Sequence, residues 1–197
     1  MVDYNEEYFF LKLSSSLKYK NPNFDLWRNL HTSGPSEIPE SPIDLHVKPP
    51  IAGHSIGDYD SFNGGFDYVF SERVKNVIER LNPVNTQFLA TNIHKGKKIY
   101  DGYFILHCYH RISCMDKKNS FWTKSNISKP EKEVLSIDKL VLDDSEIKNL
   151  PVSERLIFKV KECTCYILFH KSIVDEIKKL PRAKGLSFVA VKDWIEK

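Results

Sequence analysis

Apolar and polar residues along this chain alternate with two distinct periods, and the places where the period changes outline its elements. The sharpest change lies within residues 64–81. Phe66, Tyr68 and Phe70 alternate with Asp67 and Val69, the period of a half-buried strand. Val74, Val77, Ile78 and Leu81 then fall at i, i+3, i+4 and i+7, one face of a helix. Between the two, Ser71 offers a hydroxyl that can accept from a free backbone N–H of the first turn. Glu72 places negative charge at the positive end of the helix dipole. Asn82-Pro83 ends the helix, and Gly64-Gly65 breaks the chain before the strand.

The same patterning predicts the remaining elements. Residues 4–13 read as a strand anchored by Tyr8 and Phe10, while residues 14–30 carry no single reading, although Phe24, Trp27 and Leu30 have near-helical spacing. Six of the ten prolines lie between Pro22 and Pro50, and regular signal is sparse up to residue 62 apart from a short alternating strand at 43–47. Apolar residues recur through this stretch, which suggests an arm laid over the body rather than a free linker. Residues 1–62 are therefore expected to form an N-terminal strand and proline-rich arm, and residues 63–197 the main domain.

Within that domain, residues 87–93 and 100–112 read as two strands joined by a turn at Lys95-Gly96-Lys97. Residues 115–130 are polar and broken, with Phe121 and Trp122 expected to bury. Strands follow at 135–142, 155–160 and 165–169, with a turn at Asp143-Asp144-Ser145. Ile173, Ile177 and Leu180 mark a helix over 172–180 stopped by Pro181, and 185–191 forms the last strand, with Trp194 docking the tail.

The first strand–helix–strand run has an echo at an offset of 99: Phe70 corresponds to Phe169, Val74 to Ile173, Ile78 to Ile177 and Leu81 to Leu180. Both helices meet a proline, and both lead to a strand containing Phe88 or Phe188. Any amphipathic helix between two strands produces such an echo by convergence, so duplication and convergence both stay open. Duplication requires the two helices to occupy similar positions relative to their flanking strands. The fold class expected is α+β: a mainly antiparallel sheet, two short helices in repeated strand–helix–strand units and an irregular N-terminal arm.

Composition narrows the partners. Twenty-nine basic and 26 acidic residues are interspersed, so no concentrated basic face points to nucleic acid. The N-terminus is acidic and lacks a basic region followed by an apolar core, and no apolar run reaches the ~20 residues that span a bilayer, so a cytoplasmic location is expected, with no membrane partner. Cys108, Cys114, Cys163 and Cys165 lack the spacing of a disulfide framework, consistent with reduced thiols.

Candidate chemistry is thin. His107, Cys108, His110 and Cys114 are the densest set of ligand-type side chains, and they carry the alternative reading of a metal- or thiol-dependent enzyme. On a strand, however, His107 and Cys108 point to opposite faces. No Cys-x-x-Cys pair exists, and Gly64-Gly65 lacks the flanking pattern of a phosphate loop. The expectation is no catalytic residue, no metal and no cofactor. Asp143 and Asp144 form a small acidic cluster with Glu146. Arg73, Asn76, Glu79 and Arg80 decorate the outer side of the first helix. These six residues, Arg73, Asn76, Glu79, Arg80, Asp143 and Asp144, are the candidate partner-binding positions, and a generic protein-interaction module fits them as well as any specific one.

The order of segments adds a family. The strand and helix of 68–81, the strand QFLATNI at 87–93, a long strand leading to Asp116 and Ser120, LSIDKLVLDDSEI at 135–147, LIFKV at 156–160, YILFHKSIVDEIKK at 166–179 and GLSFVAV at 185–191 together resemble the immunity protein 11 family, with the related immunity protein 43 family sharing much of the pattern. The resemblance covers roughly residues 60–191. In the family the final helix starts after a serine-glutamate pair, where this chain has His170-Lys171. What the resemblance implies is a bacterial cytosolic protein that binds a cognate polymorphic toxin and neutralises it. It brings no catalytic residues.

Overall fold

The computed structural model describes residues 3–13, 19–20, 34–35, 40–47, 56–63, 68–126 and 133–196. Phe24, Trp27, Leu30, Gly64, Gly65 and Phe66, and most of the proline-rich stretch, lie outside them. The fold is α+β with mostly antiparallel strands.

Tyr4–Glu7 is one helical turn (α1), not the start of a strand, because Asp3 caps it by accepting from the Asn5 N–H at 2.9 Å. Strands β1 (Tyr8–Leu13), β2 (Tyr19–Lys20), β3 (Ile43–Val47), β4 (Ser61–Asn63) and β5 (Tyr68–Ser71) follow, then helix α2 (Glu72–Arg80). Next come β6 (Thr86–Lys95) and β7 (Lys98–Cys108), the expected hairpin, whose two-residue turn starts at Gly96 with φ 62°. The long strand foreseen over 100–112 is two strands. β7 stops at Cys108, and Arg111–Ile112 (β8) joins a different sheet. At the crossing Tyr109 N–H is held by Asn85 O, and His110 O accepts from Lys159 N–H. The remaining elements are β9 (Phe121–Lys124), β10 (Val134–Lys139), α3 (Asp144–Ile147), β11 (Ile157–Val160), β12 (Ile167–His170), α4 (Lys171–Lys178) and β13 (Leu186–Ala190).

The strands form a six-stranded sheet in the order β2-β3-β6-β7-β5-β4, a five-stranded sheet in the order β13-β1-β12-β11-β8, and a β9–β10 ribbon. Among the described residues only β3 with β6 and β8 with β11 pair in parallel. Within this arrangement the sequence echo becomes a structural repeat. A hairpin leads into a helix and then into a strand parallel to the helix's own strand, with one antiparallel strand inserted between the two. In the first unit the elements are β4, β5, α2 and β6 with β7 inserted. In the second they are β11, β12, α4 and β13 with β1 inserted.

Registers coincide as well as order. Phe70 faces Ser61 and Phe104, and its counterpart Phe169 faces Ile157 and Phe9. Phe104 in turn faces Ala90, and Phe9 faces Ala190. Leu106 faces Phe88, and Leu11 faces Phe188. Contacts between the units are reciprocal: α2 packs on α4, β11 approaches β7, and β4 approaches β1. That is the pattern of a twofold interface, in which the same surfaces meet from both sides. Both helices therefore occupy the same place relative to their strands, as duplication requires.

The two helices pack against each other between the two sheets. Val74, Val77 and Ile78 of α2 pack with Ile173, Val174 and Ile177 of α4, and Phe70, Leu106, Leu11, Ile157, Ile167 and Phe169 close this central core from the two sheets. Phe70 and Phe169 meet edge to face at 6.4 Å. Val69 is buried on the opposite side of β5, with Leu45, Leu89, Ile93, Tyr103 and Ile105, so the strand buries a residue on each face rather than on one. A third core lies beyond the five-stranded sheet, where Tyr8, Phe10, Phe158, Val160 and Leu168 pack against Ile137, Leu140, Leu142 and Ile147.

Candidate functional site

The N-termini of α2 and α4 each lie beside an acid and an arginine. At α2, Ser71 has the extended backbone of an N-cap, but its hydroxyl caps nothing and donates instead to Asp60 Oδ1 at 2.8 Å. Asp60 is only 4% exposed. It also accepts from the Lys184 N–H at 2.9 Å and from the Arg73 guanidinium, through Nε at 2.5 Å and through Nη2 to the other oxygen. Arg73 reaches on to Pro181 O at 2.8 Å. Burial pushes the Asp60 carboxyl up, but Arg73, the Lys184 amide and Ser71 outweigh it, so it titrates below the usual carboxylate range. This group ties α2 to the loop that follows α4.

At α4 the capping residue is His170, whose Nδ1 accepts from the Ser172 N–H at 3.2 Å. The histidine thus performs the role expected of a serine. Its Nε2 faces Glu7 at 3.7 Å, and Glu7 lies 3.8 Å from Arg155, which donates to the Tyr8 hydroxyl at 2.8 Å. Burial lowers the pKa of His170, with Glu7 opposing, and burial pushes the Tyr8 phenol up to about 12. These polar groups hold elements together; Tyr8 faces His170 across the strands as Tyr103 faces Ser71.

Of the candidate contact positions on α2, Asn76, Glu79 and Arg80 are exposed, with Glu79 paired to Lys75 at 2.6 Å. Arg73 shares their helix, but its head group is committed to Asp60. Asp143 caps α3 by accepting from the Ser145 N–H at 2.9 Å, and Asp144 is exposed in its first turn. Because α3 anchors through Ile147 in the third core, these acids lie across the five-stranded sheet from α2. The six positions therefore form two separate patches.

The ligand-type residues disperse further. His107 is buried on the face of β7 that carries Tyr103 and Ile105, with Nε2 at 3.0 Å from Gly34 O. Cys108 points into the central core and Cys114 into the third, where burial raises its thiol pKa well above the ordinary value. Among the described residues no three His, Cys, Asp or Glu side chains converge as metal ligands. Asp116 and Ser120 build a turn: Asp116 Oδ1 accepts from the Lys118 and Asn119 amides, and Ser120 exchanges hydrogen bonds with the backbone of Val141.

Two further surfaces stand out. Phe121 and Leu135 on the β9–β10 ribbon are 64% and 61% exposed, so Phe121 does not bury as its residue type suggests. Trp122 turns inward and donates to Lys117 O at 3.1 Å. No pattern in the polar 115–130 stretch distinguishes the two, because only the pairing with β10 fixes which side faces out. A cavity of about 700 Å³ lies between β1 and the C-terminal residues, lined by Phe10, Lys12, Tyr166, Asp193, Trp194 and Glu196 among others. No helix among the described residues is long and apolar enough to cross a membrane.

These features define an α+β protein whose buried polar groups join two repeats and whose exposed faces are mixed in charge, and among the described residues no metal-ligand cluster forms at the His107–Cys114 segment. The chain belongs to the immunity protein family Imm11, whose family model matches residues 14–193. The match extends well upstream of residue 60, where the resemblance in the sequence began. A comparison with curated proteins finds no match. Family membership gives the protein a toxin-immunity role with a toxin as its partner.

Proposed function

We propose that this protein binds a cognate bacterial polymorphic toxin in the producer's cytoplasm and neutralises it by covering its active site or a surface its substrate needs. The observation that carries the reading is the family match over residues 14–193. The dispersal of His107, Cys108 and Cys114 among three different packing environments supports a binding role over a metal- or thiol-dependent reaction at that segment. We assign the contact to the exposed face of α2, through Asn76, Glu79 and Arg80 with Arg73 at its base, and treat Asp143 and Asp144 as a second patch. Mixed charge of this kind favours specificity and fast association.

The test is coexpression with the toxin encoded beside this gene. Cells carrying both are expected to survive, and the two proteins to copurify. Survival no better than with the toxin alone would overturn the reading for that pair.

A further inference from the structure

The hairpin between β11 and β12 carries a pair of thiols, one at the edge of the third core and one exposed, to which the toxin-binding role assigns no part. Its turn is closed by Val160 N–H to Tyr166 O at 3.0 Å, Cys163 N–H to Val160 O at 3.1 Å and Tyr166 N–H to Cys163 O at 3.2 Å. This tight turn brings Cys163 Sγ and Cys165 Sγ to 3.2 Å from each other. Cys163 is 8% exposed and its Sγ lies 3.7 Å from Leu135 O, while Cys165 is exposed and lines the 700 Å³ cavity. The other two cysteines, Cys108 and Cys114, are buried and lie in different cores.

We propose that Cys163 and Cys165 form a dithiol modification site that a hydroperoxide oxidises reversibly to an intramolecular disulfide. Three features support this. The sulfur atoms already touch, so closing the bond needs a shift of about 1 Å along the line between them. The turn is a surface hairpin, and the exposed Cys165 gives a small oxidant access to both sulfurs. The hydrogen-bonded contact with Cys165 lowers the Cys163 thiol pKa against the opposing effect of burial.

In the reaction, the thiolate of one cysteine attacks the peroxide O–O bond, forming a sulfenic acid and releasing hydroxide. The neighbouring thiol then displaces water from the sulfenic sulfur. With hydrogen peroxide the sum is two thiols and one peroxide giving one disulfide and two waters, with both electrons passing to the peroxide. Oxidation would draw Cys163 Sγ from Leu135 O and lock the turn beside Tyr166, whose hydroxyl joins Ile137 and Glu196.

The experiment uses the full chain, hydrogen peroxide as the probe, maleimide to block remaining thiols, and mass spectrometry of the peptide holding both cysteines. The expected product is that peptide lacking two hydrogens and carrying no maleimide, restored by dithiothreitol, with Cys108 and Cys114 still reduced. In Cys163→Ser, peroxide should consume Cys165 at least about tenfold more slowly than it consumes the pair. In Cys165→Ser, dimedone should trap a sulfenic acid at Cys163. Both cysteines taking maleimide after exposure to peroxide, a disulfide only between chains, or equal loss of Cys108 and Cys114 would each overturn the proposal.

Discussion

Replacing Arg73 by alanine leaves Asp60 with the Ser71 hydroxyl and the Lys184 amide as its remaining donors, in a site where its own side chain is almost fully buried. Stranding one member of a buried ion pair costs about 3–5 kcal/mol. Arg73 is itself 42% exposed, so water can reach part of the vacated site and the expected loss falls to about 2–3 kcal/mol. For a chain of this size that corresponds to a fall in melting temperature of roughly 4–12 °C. The loss should also depend on pH in a defined direction. The Asp60 carboxyl is held below its ordinary value in the folded protein. A depressed pKa contributes stability that is present above the unfolded value of about 3.9 and is lost as pH falls through the folded value. Urea unfolding of the wild type and Arg73→Ala should therefore differ most near pH 7 and converge in the acid range. A difference below about 0.5 kcal/mol at pH 7, or one that persists unchanged on acidification, would refute the role given to this pair.

Other consequences can be checked with the same unfolding assay. A Cβ at Gly185 would sit 3.0 Å from both Ser61 O and Tyr59 Cδ1 with φ at 82°, so Gly185→Ala should cost about 1–3 kcal/mol. His170 has a lowered pKa in the folded state, so it opposes folding progressively as pH falls below the unfolded value of about 6.5; His170→Asn should flatten the stability slope between pH 7 and pH 5. Charge reversal at the exposed Glu79 or Arg80 should weaken protection against the toxin while changing stability by no more than about 0.5 kcal/mol, and unaltered protection in both variants would remove α2 from the contact surface.

What could be read from the sequence was local. Helices α2 and α4 and the β6–β7 hairpin are short-range patterns, and each shows in the spacing of Val74, Ile173 or Gly96 without knowledge of its neighbours. The repeat showed partly for the same reason, since Phe70 and Phe169 each precede an amphipathic run. Its inserted strands did not, because the equivalence of Tyr8 with Tyr103 is a property of pairing across sheets. Non-local partners also decided the misreadings. The Ser71 hydroxyl and the Arg73 guanidinium both go to Asp60, which sits in a stretch with no periodic signal. Ser71 and Arg73 have the residue types of a cap and a surface contact, and only the fold reveals the acid between them.

The inserted strand of the second repeat has a kinetic consequence. β7 follows β6 through a two-residue turn, so the first repeat can assemble from neighbouring chain, whereas β1 must wait for β12 and β13 across roughly 150 residues. On the ribosome β1 is made long before the strands it pairs with, and the second repeat stays open until β13 emerges. Joining β13 to β1 through a short turn, with new ends opened between β1 and β3, would make both repeats local. Such a permuted chain should fold faster than the natural one with the same sheet order.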